Sequence, residues 1–346
     1  MIEAPAPVSA RTQRARRSRH WAVMSACLAV LIVLCVLSLA IGTRFIPPGD
    51  VLNTLLGRGR TDIDAVVWGA RLPRTLLALV VAVALGLAGA IMQALTRNPL
   101  GDPGLLGISA GSAFGIVIAV ATLGIASFYG LIWFALAGAL AASAVVYVLA
   151  SVGRGGATPV KLALAGVAIT ALITSITSGI TLINPEALNR YRFWAAGSLA
   201  GHDTNALLRV LPFVLVGVAL ALASASSLNS MALGDDVAKA LGRRVGLVRL
   251  QGALAIALLT GSAVAVVGPI VFVGLVVPHV ARAITGPDQR WLMPFTMVLA
   301  PILVLAADII GRVINPPGET EVGVIVAFIG APFFIALIRR RRLAEL

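Results

Sequence analysis

Residues 21–42 read WAVMSACLAVLIVLCVLSLAIG, an apolar run without a single charged side chain. As a helix its 22 positions extend about 33 Å, enough to cross the ~30 Å hydrocarbon core of a bilayer. Arg11, Arg14, Arg16, Arg17 and Arg19 precede it. The run is too long for the apolar segment of a cleavable signal, so it reads as an uncleaved first span, with the small residues Ala40-Ile41-Gly42 the one feature favouring cleavage. Cys27 and Cys35 lie inside it and read as apolar residues rather than as a disulfide or a metal site.

The rest of the chain repeats this pattern. With 59% hydrophobic and 12% charged residues over 346 positions, there is too little polar surface to cover a water-soluble globule. Runs of about 20 residues exclude a barrel, whose strands alternate with period two. Apolar runs fall near 21–42, 74–95, 104–124, 129–150, 160–182, 206–225, 249–267, 268–285, 291–312 and 322–338, which predicts an all-α polytopic bundle of about ten spans. Gly268-Pro269 is read as a turn between the seventh and eighth spans, a kink being the alternative. The 35 glycines suit close helix packing in lipid.

Charge placement orients the bundle. With ten spans and the N-terminus inside, 18 of the 27 Lys and Arg fall on the cytoplasmic side, among them Arg97, Arg154, Lys161, Lys239, Arg243, Arg244, Arg249, Arg282, Arg290 and Arg339 to Arg342. Both termini are therefore expected in the cytoplasm, with residues 1–20 and 339–346 as basic tails around a single membrane domain, 21–338. The arginines punctuate helix ends, so the net charge of +13 needs no nucleic-acid partner. Only Lys161 and Lys239 exist, and neither closes a G-x-x-x-x-G-K-[ST] phosphate loop, so any ATP is hydrolysed by another subunit. His20, His202 and His279 form no zinc motif, and Asp235-Asp236 lacks a third carboxylate at a useful offset. An ion-coupled secondary carrier is disfavoured by the scarcity of intramembrane acids, Asp308 with Arg312 one turn on being the exception. A membrane enzyme would need a polar constellation that is missing.

Several loop motifs are more specific. Arg71-Leu72-Pro73-Arg74, Gly89-x-x-x-Gln93-x-x-x-Arg97-Asn98-Pro99-Leu100-Gly101-Asp102-Pro103-Gly104, Leu164-Ala165-Gly166 and Trp194-x-x-Gly197-Ser198-Leu199 follow one another in order. After them come Leu233-Gly234-Asp235-x-x-Ala238-x-x-Leu241-Gly242, Gly268-Pro269-x-x-Phe272-Val273-Gly274, Pro278-His279-x-x-Arg282, Ala307-Asp308-x-x-x-Arg312 and Gly330-Ala331-Pro332-Phe333-Phe334. From about residue 50 to 340 this series resembles the FecCD-type permease subunits of ABC importers for ferric siderophores, haem and cobalamin. The resemblance implies a type II importer permease that moves a metal chelate, a ferric siderophore first and haem or cobalamin behind it, by alternating access. It implies a second permease subunit, two ATPase subunits carrying ATP and magnesium, and an extracytoplasmic binding protein.

Within the loop at about 226–249, two acids suit a helix N-terminus and Gly242 a C-cap, which predicts a short surface helix. By resemblance Leu233, Gly234, Asp235, Asp236, Ala238, Leu241 and Gly242 form the helix that couples to the ATPase; an ordinary amphipathic loop helix is the plainer reading. By resemblance too, Arg71, Arg74 and Arg312 receive acidic residues of the binding protein while remaining solvated, against interfacial snorkelling or an Arg312–Asp308 pair. Thr158, Pro159 and Val160 are implied in a cytoplasmic gate. Asn98-Pro99 and Asp102-Pro103 read as a structural turn. Gly107 to Gly115 could equally be a packing face or a pathway wall. The broken segment 268–285 is expected to line a cavity, and its His279 to be an ordinary hydrogen-bonding residue. One departure stands out: the last outer loop reads Glu319-Thr320-Glu321-Val322-Gly323, with glutamate where similar permeases carry proline.

Overall fold

A computed structural model describes residues 10–42, 44–125, 127–153, 158–315 and 318–344, with side chains for all of these apart from 10–16, 337–338 and 340–344. The outermost tail residues, Arg154 and the side chains of Arg11, Arg14, Arg16 and Arg340 to Arg342 lie outside that description.

Among the described residues, seven helices are long and apolar enough to span a bilayer: Arg17–Ala40, Thr61–Thr96, Phe128–Ser151, Pro159–Ile183, Thr204–Ala232, Val245–Val267 and Gln289–Ile314. Three shorter apolar helices, Ile108–Leu123, Val273–Thr285 and Val322–Ala336, occupy the remaining places where a span was read. The chain is thus a multi-pass helical membrane protein. In order, the helices are α1 (Ala10–Ala40), α2 (Pro48–Leu55), α3 (Thr61–Val66), α4 (Leu72–Thr96), α5 (Ile108–Leu123), α6 (Phe128–Ser151) and α7 (Pro159–Ile183). They continue with α8 (Pro185–Ala195), α9 (Thr204–Ala232), α10 (Asp235–Ala240), α11 (Val245–Val267), α12 (Val273–Thr285), α13 (Gln289–Ile314) and α14 (Val322–Ala344).

Two features differ from the sequence reading, while the turn read at Gly268-Pro269 is present. Helices α9 and α11 run further than hydropathy indicates, which shrinks the 226–249 loop to 233–244 around α10. Gly268-Pro269 is a true break: α11 stops at Val267, Phe272 turns the chain at φ 67°, and α12 resumes for only 13 residues, about 20 Å. The second span starts early, as α3 passes into α4 through one π-turn, Val67–Arg71.

Helix α4 is the axis of the bundle. It is buried on most of its circumference and packs against α9, α11, α12 and α13. Lipid offers no hydrophobic drive for helices to associate, so packing here depends on close backbone approach. At Gly89, an added Cβ would overlap the carbonyl of Gly274, so α4 and α12 touch main chain to main chain. Gly111 on α5 and Gly138 on α6 face each other in the same way. Asn98 and Asp102 hold the following turn, their Oδ1 atoms accepting from Leu100 N (3.0 Å) and Gly104 N (2.7 Å). At the periphery, α7 leaves Leu164, Val167, Leu172 and Leu182 exposed to whatever surrounds this chain.

Gly89→Ala forces α4 from α12 and should destabilise the protein by about 1–3 kcal/mol, read as a lowered unfolding temperature in detergent. Gly246→Ala, where a Cβ meets nothing, should leave that temperature unchanged or raise it.

Candidate functional site

Functional features gather at the two ends of α4, about 37 Å apart by its 25 residues. At its N-terminal end stands an arginine network. Helix α1 ends at Ala40, and the last carbonyls of a helix have no partner within it. Arg71 Nη1 donates to Leu39 O and Ala40 O, each at 2.7 Å, and its Nη2 to Arg44 O. Arg312 Nη1 donates to Ser38 O (2.7 Å) and Ile41 O (3.0 Å), and its Nη2 to Ser38 Oγ (3.2 Å) and to Asp308 Oδ2. The two guanidinium groups therefore complete the C-terminus of α1. Both residues are buried, at 7% and 3% exposure, so the expectation that they stay solvated fails, and the Arg312–Asp308 pair is formed.

Arg74 is placed differently. Its Nε and Nη2 fork onto Asp308 Oδ1 at 3.1 and 2.7 Å, while Nη1 meets Glu319 Oε2 at 2.6 Å. Asp308 is buried, but the Glu319 carboxylate is 28% exposed and Arg74 itself 14%. Of the three arginines, Arg74 is the one paired with a partly exposed carboxylate.

Beyond the opposite end of α4, Gly234 (φ 112°) opens α10 and Gly242 (φ 76°) follows it, both conformations that favour glycine. Asp235 accepts from Arg97 Nη2 at the end of α4 and from Arg249 Nη2 on α11 at 2.6 Å, which fixes the short helix to both neighbours. Asp236 is exposed and pairs only with Lys239. Ala238 is buried, whereas Leu233 before α10, Val237 within it and Leu241 at its end are exposed apolar residues. Val237 was absent from the motif-based set, although it stands midway between the two leucines of that set. Thr158 caps α7, its Oγ1 accepting from Lys161 N at 3.4 Å, with Pro159 as the first helical residue. Pro159 borders a small void beside Leu95 and Arg249, so the start of α7 adjoins the same end of the bundle.

Gln93, one turn before Arg97, donates from Nε2 to the carbonyls of Gly274 and Leu275 (3.2 Å each) and accepts from Arg282 Nη2 at 3.0 Å. It supplies donors where the broken segment would leave carbonyls bare. His279 packs edge-on against Phe333.

The Gly107–Gly115 stretch divides into two faces. Gly111, Ser112 and Gly115 pack on α6, Ser112 Oγ donating to Ala135 O at 3.1 Å. Ser109, Ala110 and Ala113 instead line a cleft of about 240 Å³ whose opposite wall is the hydroxyl stripe Thr170, Thr174, Thr177, Ser178 and Thr181 of α7. Pro269, from the broken segment, borders that cleft as expected. Trp194 is shared with a second cavity of about 460 Å³ bordered by Phe128, Phe193, Arg190, His202 and Glu321. His202 stacks on Phe128 with ring centroids 5.0 Å apart, and burial holds its imidazole below the usual range, in the neutral form. The departing residue Glu321 thus adds a carboxylate to a cavity wall. Among the described residues, no group of three or more His, Cys, Asp or Glu could hold a metal ion.

Residues 30–340 match the model of the FecCD transport family. The chain belongs to this family. It is 50% identical over 91% of its length to the ferric enterobactin transport system permease protein FepD of Escherichia coli (strain K12), covering 94% of that protein. It is 39% identical to the hemin transport system permease protein HmuU of Yersinia pestis, over 84% of this chain and 88% of the relative. The backbone is similar to the inward-facing structure of a metal-chelate type ABC transporter, with a TM-score of 0.80 and 28% identity over 92% of this chain and 99% of the other. A FecCD permease is the membrane subunit of an ABC importer and not itself an enzyme; ATP hydrolysis belongs to a separate subunit, as the missing phosphate loop requires.

Breaking the capping network should be costly. Arg312→Met leaves Asp308 and the ends of α1 short of donors and should lose about 3–5 kcal/mol in reversible unfolding in detergent. Adding Asp308→Leu should deepen the loss, because Arg74 then also loses the two hydrogen bonds of its fork.

Proposed function

We propose that this chain carries a ferric siderophore across the inner membrane into the cytoplasm, with haem or cobalamin as the alternative cargo. The observation that carries the reading is the hydroxyl-lined cleft between α5 and α7, which shares Trp194 as a wall with the second cavity. A wall of Ser and Thr hydroxyls can exchange hydrogen bonds with a passing polar chelate without holding it. No fixed cation or acid lies on that wall, which suits a carrier whose selectivity resides in a binding protein. The enterobactin relative, at half identity, weights the cargo toward a siderophore.

On this reading the α10 end faces the cytoplasm with both termini, and the exposed residues Leu233, Val237 and Leu241 seat in one of two ATPase subunits that bind ATP and magnesium. Asp235 transmits ATPase closure to α4 and α11 through Arg97 and Arg249. Thr158, Pro159 and Val160, beside Arg249, act at the cytoplasmic gate. The exposed apolar faces of α7 and α14 meet a second permease subunit that closes the cleft. The arginine end faces the binding protein, with Arg74 the residue that touches it and Arg71 and Arg312 holding the platform. This chain itself holds no cofactor.

In a strain lacking the permease, plasmid-borne protein should restore uptake of iron supplied as a radiolabelled ferric siderophore and not of haem or cobalamin; restoration of haem alone would move the cargo assignment. Leu233→Arg combined with Leu241→Arg should insert normally yet lose co-purifying ATPase, and unchanged co-purification would remove α10 from the coupling role.

A further inference from the structure

We propose that Glu319 occupies, within the permease, the place that an acidic side chain of the docking protein takes on Arg74, so that docking proceeds by exchange of one carboxylate for another. The inference rests on the reading of the arginine end as the binding-protein face.

The guanidinium groups are committed to acceptors within the cluster, apart from Arg312 Nε, which is buried without a partner and out of reach of one from outside. Asp308 is held from both oxygens, by Arg74 and by Arg312, and is 1% exposed, so no partner can reach it. Arg71 and Arg312 are spent on the carbonyls that end α1. What is left is Arg74 Nη1, and Glu319 Oε2 covers it at 2.6 Å. Glu319 belongs to the short connection between α13 and α14, which is tied down next door by Thr320 N donating to Gly311 O at 2.9 Å. The carboxylate is therefore held over the guanidinium by its backbone, yet it is the partly exposed member of the pair and the one that can swing away.

The cluster sets three guanidinium groups against two carboxylates, which leaves a net positive site that attracts acids. A docking carboxylate cannot simply be added to it. Nη1 becomes available when Glu319 leaves, and the incoming acid then remakes the same charge-assisted hydrogen bond. Because one bond replaces another, the net gain is small, and the contact is reversible and salt-sensitive. The partner that fits presents an Asp or Glu on a rigid projection long enough to reach a guanidinium that is 14% exposed.

The test uses the complete transporter in lipid nanodiscs and its substrate-free binding protein, with the dissociation constant measured at low and high salt. Glu319→Gln should tighten docking about fivefold at low salt, with the gain shrinking as salt rises. Arg74→Lys keeps a cation for Asp308 but loses the fork; it should weaken docking, and in the double variant the Glu319→Gln gain should vanish. Docking that is unchanged or weakened by Glu319→Gln, with Arg74→Lys still impaired, overturns the exchange and leaves the docking face intact. Normal docking by Arg74→Lys and by a folded Arg74→Gln overturns the docking face itself.

Discussion

A helix that ends inside or at the edge of a membrane leaves four carbonyls pointing where water is scarce, and something must donate to them. In this chain α1 is finished by arginines from two distant segments, Arg71 before α4 and Arg312 at the end of α13. That constraint organises the rest of this end of the bundle. It fixes α1 against α4 and α13, it places Asp308 between two guanidinium groups as their counter-charge, and it leaves Arg74 as the arginine paired with a partly exposed carboxylate. Isolated charges in such surroundings would cost many kcal/mol; forked onto one another and onto carbonyls they become the joint of the bundle.

The same economy recurs along α4. At one end Arg74 reaches out, and at the other Arg97, in the left-handed region at φ 50°, turns to meet Asp235 of α10. Between them Gly89 admits the backbone of α12, and Gln93 feeds donors to the carbonyls that the broken segment frees. The helix that touches both ends is also the most enclosed, which suits an element meant to carry displacement between them rather than to bend.

Much of this was legible in the sequence, for physical reasons that also set the limit. Apolar runs such as 21–42 report the thickness of the bilayer, so the places of the helices could be read. Their ends could not, because α9 and α11 continue past the lipid boundary into polar sequence that helix propensity tolerates. Asp235 and the apolar residues at 233, 237 and 241 follow from local sequence. Arg71 and Arg312 illustrate what does not: an arginine beside a span reads alike whether it faces water or caps another helix, and the carbonyls that settle it lie some 30 and 270 positions away in the chain. The Gly107–Gly115 face was divisible only once α6 and α7 were known to flank it.

The π-turn at Val67–Arg71 carries one residue more than an α-helical turn needs, and one residue is a rotation of about 100° around the axis. Everything before it is therefore set in azimuth against everything after it by a single inserted position. Loss or gain of one residue there would swivel α3 around the axis and pull the buried Ile63 and Val67 away from the end of α1. The turn thus sets the angle at which the end of α1 and the start of α4 meet.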